Sequence, residues 1–449
     1  MMAEQPAGPE PLSRSAEPVV RPAGMPPHNV HVVRRARLFA DGHALVVRDS
    51  RGRERRYAVG AAGIRRAVFF PPGDLWETVQ KRPSERWGVL VFMGGDERHI
   101  LHVPLAAWLP EAGVVGALEL RPSMCLGRTG LEALVTKLGI PLEESEEPLG
   151  PGTRDGGRRG RPDRADHAEL PRWHSWARGL GMFGWLVAVV TAFAADLVWA
   201  MPIAAGALFL VPASDAVVRI GGWWRSRRQN VFAEAVEIRP SPEAGGNVTE
   251  RFLRTAVVRV LPHDVVLTDT LGAERWLARG GEHGVARLVR LTAPATGKIL
   301  GVEFRDRDGE GRALLPWSHW FAGPRGNDRW AELVRALDVP VSDVKHEQAE
   351  DAKYWWQGLT LAAEVHAMSP MDAKEARKQT DWYRSVIGRN ELLSLPLFSA
   401  VLLAGLLSDK DSAVLAGCLS ALTVAVVLVP PLVSTLVSRF WYDRTLREP

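Results

Sequence analysis

The sequence predicts an internally duplicated α+β chain: two soluble domains, each an antiparallel sheet or roll closed by a C-terminal helix, and each followed by an α-helical transmembrane hairpin. Three observations carry this expectation. HALVVRDSRGRERRYAVG from His43 aligns residue for residue with HDVVLTDTLGAERWLARG from His263. Apolar residues make up 46% of the 449, an ordinary share, yet they gather in two dense blocks. Elsewhere short β-rich runs alternate with polar turns, the pattern of half-buried strands.

In chain order, residues 1–30 are rich in Pro, Glu, Ala and Gly, lack an apolar signal-peptide core and read as a disordered tail. The first domain spans 31–142. Its strand candidates are Val32–Phe39, Ala44–Asp49, Arg53–Val59, Ile64–Phe70, Val89–Met93 and Arg98–Val103. Asp49-Ser-Arg-Gly52 and its counterpart Asp269-Thr-Leu-Gly272 read as hairpin turns, with glycine supplying positive φ. Leu131, Leu134, Val135 and Leu138 share one face at helical spacing and close the unit. The second domain, 229–345, repeats these features: Pro104 and Trp108 match Pro316 and Trp320, and LEALVTKLGIP matches AELVRALDVP. A Pro-rich insert, Pro71–Pro83, belongs to the first copy alone.

Val266, Leu267, Thr268, Asp269, Gly272, Glu274 and Arg275, followed by GVARLVRL, resemble the start of bacterial pleckstrin-homology-like (PH-like) domains, with a weaker echo in Val46–Arg55. The resemblance covers the soluble part of each copy. It implies a binding module for lipids, peptides or other proteins, often attached to a short membrane hairpin, and it assigns no site residues.

Glu143–Arg172 is Gly-, Pro- and Arg-rich and reads as a flexible linker. Residues 173–228 form the first hairpin: Gly179–Ala195 and Leu197–Val218 flank Asp196, a carboxylate that stays in water at a hairpin tip. Residues 346–390 read as a helical connector; Met371–Ile387 is open to two readings, an amphipathic surface helix or a plain continuation into the next helix. The second hairpin, 391–441, places Asp409-Lys410-Asp411 between Leu392–Ser408 and Ser412–Val437, and 442–449 is a C-terminal tail. Arginines flank both hairpins on the same side, as do Trp173, Trp176, Trp223, Trp224 and Trp441. The positive-inside bias therefore predicts a multi-pass protein of the cell membrane, with both termini and both domains cytoplasmic.

Recognisable catalytic motifs are largely absent from the sequence. A net charge of +4 is too small for a dedicated nucleic-acid binder, so no nucleic-acid partner is expected. The two cysteines, Cys125 and Cys418, make no disulfide framework. No phosphate loop, dinucleotide fingerprint or zinc-protease motif occurs, so neither an enzyme nor a cofactor is expected. On a regular strand His99 and His102 point to opposite faces, and no metal site is assigned. The candidate binding residues are Arg51, Arg53, Arg55, Arg56, Arg65 and Arg66, which with Arg48 form a positive cluster open to two readings: a site for anionic lipid or an acidic partner, or a solvated, Arg-rich sheet edge that discourages aggregation. Asp215 and Arg219, four residues apart, form a candidate intramembrane polar pair, either an ion or substrate gate or a neutralised charge at the lipid headgroup boundary. The expected partners are the lipid bilayer, anionic lipid and a protein partner. The expected role is a non-catalytic bacterial membrane scaffold or regulator presenting two binding domains; the alternative is a small-solute or lipid transporter built from the duplicated helix pair.

Overall fold

The computed structural model describes residues 18–25, 29–73, 87–110, 122–150, 162–165, 171–195, 200–229, 231–244, 248, 250–270, 272–281 and 283–346. In the first unit β1 (Val19–Val20) leads through a helical turn, α1 (Val30–Val33), into the strands β2 (Arg37–Asp41), β3 (Ala44–Arg48) and β4 (Glu54–Ala58). These form one antiparallel sheet in the order β1-β2-β3-β4. A second sheet holds β5 (Arg66–Phe70), β6 (Val89–Met93) and β7 (His99–Pro104). Three short helices follow: α2 (Leu105–Trp108), α3 (Pro122–Thr129) and α4 (Leu131–Lys137). Then β8 (Leu142–Glu144) runs parallel beside β5, and β9 (Asp163–Arg164) parallel beside β7.

A helical hairpin comes next, α5 (Arg172–Ala194) and α6 (Ala200–Arg228). The second unit repeats the order of the first. It comprises β10 (Val236–Ile238), α7 (Glu250–Thr255), β11 (Val257–Val260), β12 (Asp264–Thr268) and β13 (Glu274–Ala278), then β14 (Arg287–Thr292), β15 (Ile299–Arg305), β16 (Gly311–Pro316), α8 (Trp317–Trp320), α9 (Gly326–Leu337) and β17 (Val341–Lys345). Here too the last strand lies parallel to the first strand of the second sheet: Leu288 pairs with Val341 as Ala67 pairs with Leu142.

Local chemistry explains the turns. Asp49 Oδ1 accepts hydrogen bonds from the backbone N–H of Arg51 (2.8 Å) and Arg53 (2.9 Å), and Gly52 sits at φ +84°. Asp269 Oδ1 accepts from Ala273 N–H (2.9 Å), with Gly272 at φ +83°. A short acceptor side chain and a residue free to take positive φ are what such a turn requires. Alternate side chains of the strands then enter two cores. In the first, Leu38, Leu45, Phe69, Phe92 and Leu101 pack with Trp108, Leu131 and Leu134. In the second, Val265, Leu267, Val302 and Phe304 pack with Trp320, Leu333 and Leu337. Trp108 and Trp320 are fully buried at equivalent places after the Pro104 and Pro316 strand ends, and truncating either to Ala would cost about 3–5 kcal/mol.

Three expectations are changed. Among the described residues, no helix is long and apolar enough to cross a membrane. The transmembrane hairpin at 173–228 is therefore corrected to a helical hairpin, and the multi-pass cell-membrane location and its predicted orientation fall with it. The reason is visible in the sequence of each helix. α5 has 23 residues, but its first turns carry Arg172, His174 and Arg178, so its apolar part, Gly179–Ala194, falls short of the ~20 residues a span needs. α6 has 29 residues, but Asp215 and Arg219 interrupt it before its Arg225–Arg228 end. The second predicted hairpin, 391–441, lies outside the described residues, as does the connector at 347–390. Among the described residues the fold is thus a mixed α/β arrangement of four sheets with a helical hairpin between the units.

The second change concerns Val32–Phe39, where the strand begins only at Arg37. Val30–Val33 takes a helical turn instead, and its His31 N–H donates to Ser226 Oγ at the end of α6 (3.0 Å). The third concerns the segments read as unstructured: residues 18–25 of the 1–30 tail supply β1 and the segment after it, and Glu143–Arg172 supplies parts of β8, β9 and the start of α5.

The two units also contact each other. Met25 and Glu274 exchange backbone hydrogen bonds of 3.0 Å in each direction, attaching the first unit's N-terminal segment to the edge strand β13. Arg21 Nη2 donates to both oxygens of Asp264 (2.7 and 2.6 Å), and Arg34 donates twice to Glu274 (3.0 and 2.5 Å). On α3, Arg128 reaches Glu310 (3.3 Å).

Candidate functional site

The predicted arginine cluster divides when the strands pair. Arg48 and Arg56 bind Glu54, and Arg56 also binds Asp41. Arg53 closes onto Asp49 (2.7 Å). Arg55 donates to the Arg164 carbonyl (2.8 Å), Arg65 to the Ala61 carbonyl, and Arg66 pairs with Glu97 and Glu143. These are cross-strand and strand-end pairs on an exposed sheet, the kind that contribute at most about 1 kcal/mol each. Arg48 holds the Glu54 carboxyl below its usual range, with Arg56 adding to the effect.

Arg51 is different. Its side chain lines a cavity of about 420 Å³ between the β3–β4 turn, α1 and the end of α6. The wall also carries Arg35 from the residues after α1, Arg225 and Arg228 from the last turn of α6, and His31. Among its described lining residues there is no carboxylate. None of these four arginines forms an ion pair with a described carboxylate; Arg228 lies instead over the Trp224 ring at 3.6 Å.

Sequence-distant elements make this concentration of charge. At the end of α6 the Ser226 carbonyl is already engaged, accepting from Arg34 Nη1 at 2.7 Å. Arg35 also borders a neighbouring cleft of about 320 Å³, lined by Arg34, Arg37, Arg48, Gly52 and Glu54. There Arg37 is pushed down to about 10, first by burial and then by the nearby Arg21 guanidinium, with Asp264 opposing. Converging arginines in a concave, partly desolvated site can take the oxygens of a phosphate-type anion through charge-assisted hydrogen bonds.

Asp215 and Arg219 both fall on α6, and their side chains lie outside the described residues.

Two further groups were not expected. His99 Nδ1 and His102 Nε2 lie 3.0 Å apart, so the two rings share one face of the sheet, not opposite faces. The β6–β7 register shifts at Met93, which pairs with His99 while Phe92 pairs with Leu101; Ile100 bulges out and the alternation changes parity. Burial lowers both histidines, His102 to about 4, and His99 and Arg164 add to that lowering.

In the second unit His283, Asp306 and Asp308 place their ligand atoms within 4.8 Å of one another, although no metal site was assigned from sequence. Burial holds the Asp306 carboxyl above its usual range. Arg312 stands 4.0 Å from Asp306, and Arg128 lies on neighbouring Glu310, so cations already face this group.

No protein-family model, curated protein or solved structure matches this chain.

Proposed function

We propose that the protein is a non-catalytic binding module, a scaffold or regulator whose two related sheet-and-helix units are joined side by side, and that it holds a phosphate-type anionic ligand in the arginine cavity. The observation that carries this reading is the cavity itself: Arg35, Arg51, Arg225 and Arg228 converge without a described carboxylate among them. Its wall draws on α1, a sheet turn and a helix end, so a bound anion would tie the first unit to the hairpin. The resemblance of each unit to PH-like domains supports a binding role over a chemical one. Divergence supports it too: at the turn equivalent to Arg51 and Arg53 the second copy has Leu271 and Ala273, so the anion site belongs to the first copy alone. The transport alternative lacks support, because it needs spans that no described helix supplies.

Isothermal titration of the full chain with inorganic phosphate and with pyrophosphate tests the reading. Binding should weaken about 10-fold or more in Arg51→Ala and in Arg225→Ala, as loss of one charge-assisted hydrogen bond requires. It should also fall with added salt. Equal affinity in wild type and both variants would refute it.

A further inference from the structure

The α5–α6 hairpin leaves a broad apolar surface uncovered by the described residues. On α5, Phe183 is 65% exposed, and Leu186 and Val190, three and seven residues on, lie exposed on the same helical face; on α6, Ile220 is 66% exposed. Contiguous apolar patches of this kind mark interaction sites.

Polar and aromatic residues are distributed unevenly along the hairpin. The start of α5 and the end of α6 lie together, since the helices run antiparallel and pack closely where Gly181 meets Ala207. That end carries Trp176, 72% exposed, and Trp223 and Trp224. It also carries Arg172, Arg178, Arg225, Arg227 and Arg228, with the arginine cavity beside it. Arg227 and Arg228 stack on Trp223 and Trp224 at 3.9 and 3.6 Å. The opposite end has neither arginine nor lysine among α5 residues 179–194 or α6 residues 200–218.

We infer that this hairpin, together with the arginine cavity at its base, docks onto a negatively charged lipid surface from one side, apolar side chains entering the headgroup boundary and lipid phosphates entering the cavity. The inference deepens the reading of the cavity as a phosphate site and rests on it. Charge complementarity selects this occupant. Amphipathic tryptophans with arginines at the edge of an apolar face match the boundary between headgroups and acyl chains. A second copy meeting it hairpin to hairpin would set the same arginine-rich end against its own kind. The hairpin is too short in its apolar parts to cross, so the contact is with one leaflet.

The test is flotation of the full chain with vesicles of phosphatidylcholine alone and of phosphatidylcholine with phosphatidylglycerol, alongside titration with inorganic phosphate. The wild type should float with the anionic vesicles and stay behind with the neutral ones. Phe183→Glu with Ile220→Glu, both exposed positions, should abolish flotation and leave phosphate binding unchanged. Arg225→Glu with Arg228→Glu should weaken both, vesicle binding by roughly 30-fold or more, at about a factor of five per basic residue near an anionic surface. Flotation that ignores lipid charge, flotation unaffected by the paired glutamates, or a stable dimer broken by those glutamates in place of vesicle binding would overturn the inference. Loss of inorganic phosphate binding by the wild type would instead remove the cavity reading beneath it.

Discussion

The contact between the two units makes a prediction that can be worked from its geometry. Glu274 accepts both donors of Arg34, and the two side chains are only 4% and 10% exposed. Trp276 Nε1 also donates to Glu274 Oε2 at 3.1 Å. Glu274→Gln keeps the shape but removes the charge, leaving Arg34 buried without its acid. Breaking one side of a buried pair costs about 3–5 kcal/mol. Arg34 retains the Ser226 carbonyl at 2.7 Å and the Phe232 ring at 4.8 Å, so the lower end, about 3 kcal/mol, is expected. Replacing both partners, Arg34→Met with Glu274→Gln, leaves no stranded charge and should cost clearly less than Arg34→Met and Glu274→Gln added together. Urea unfolding followed by circular dichroism gives the four corners of this cycle, with a coupling of ~2 kcal/mol or more expected. A single-variant cost below ~1 kcal/mol, or additivity, would refute the buried clamp.

Other consequences follow from single sites. Burial lowers His319 to about 4, so the folded state keeps it neutral while the unfolded chain protonates it near 6.5. Its contribution is intact above about 6.5 and is lost as pH falls toward 4, by on the order of 3 kcal/mol; His319→Gln should flatten stability against pH in that window, seen in urea midpoints. Glu97 sits at φ +60° where the second unit has Gly309 at φ +87°, so Glu97→Gly should melt higher than Glu97→Ala by ~1 kcal/mol in stability, and the reverse order would contradict the backbone argument. A Cβ on Gly181 would lie 2.7 Å from the Ala207 carbonyl oxygen, so Gly181→Val should loosen the hairpin by about 1–3 kcal/mol, read as faster proteolysis between α5 and α6.

Local signals in the sequence carried real structural content. The Asp49–Gly52 and Asp269–Gly272 turns follow from residue chemistry alone, because an acceptor and a positive-φ glycine at fixed spacing allow few alternatives. Arg51 stood out as part of a positive run. What the run could not reveal is that pairing with Asp41, Asp49, Glu54 and Glu97 neutralises most of its neighbours, which depends on strand register. The cavity's other arginines come from residue 35, read as the middle of a strand, and from residues 225 and 228, read as the flank of a span. Long-range juxtaposition of this kind leaves no periodic trace.

The His99–His102 contact was hidden by a bulge, and a change of one residue in register inverts which side chains share a face. The first apolar block misled for a different reason. Hydropathy totals do not record that the apolar part of α5 begins two turns into the helix, or that Asp215 and Arg219 divide α6.

The most direct test of the central claim is to locate the anion. Crystals of the full chain soaked in tungstate, a heavy phosphate analogue, should show an anomalous peak within the cavity, in reach of Arg35, Arg51, Arg225 and Arg228. Anomalous density only elsewhere on the surface, with the cavity empty at saturating tungstate, would contradict the account.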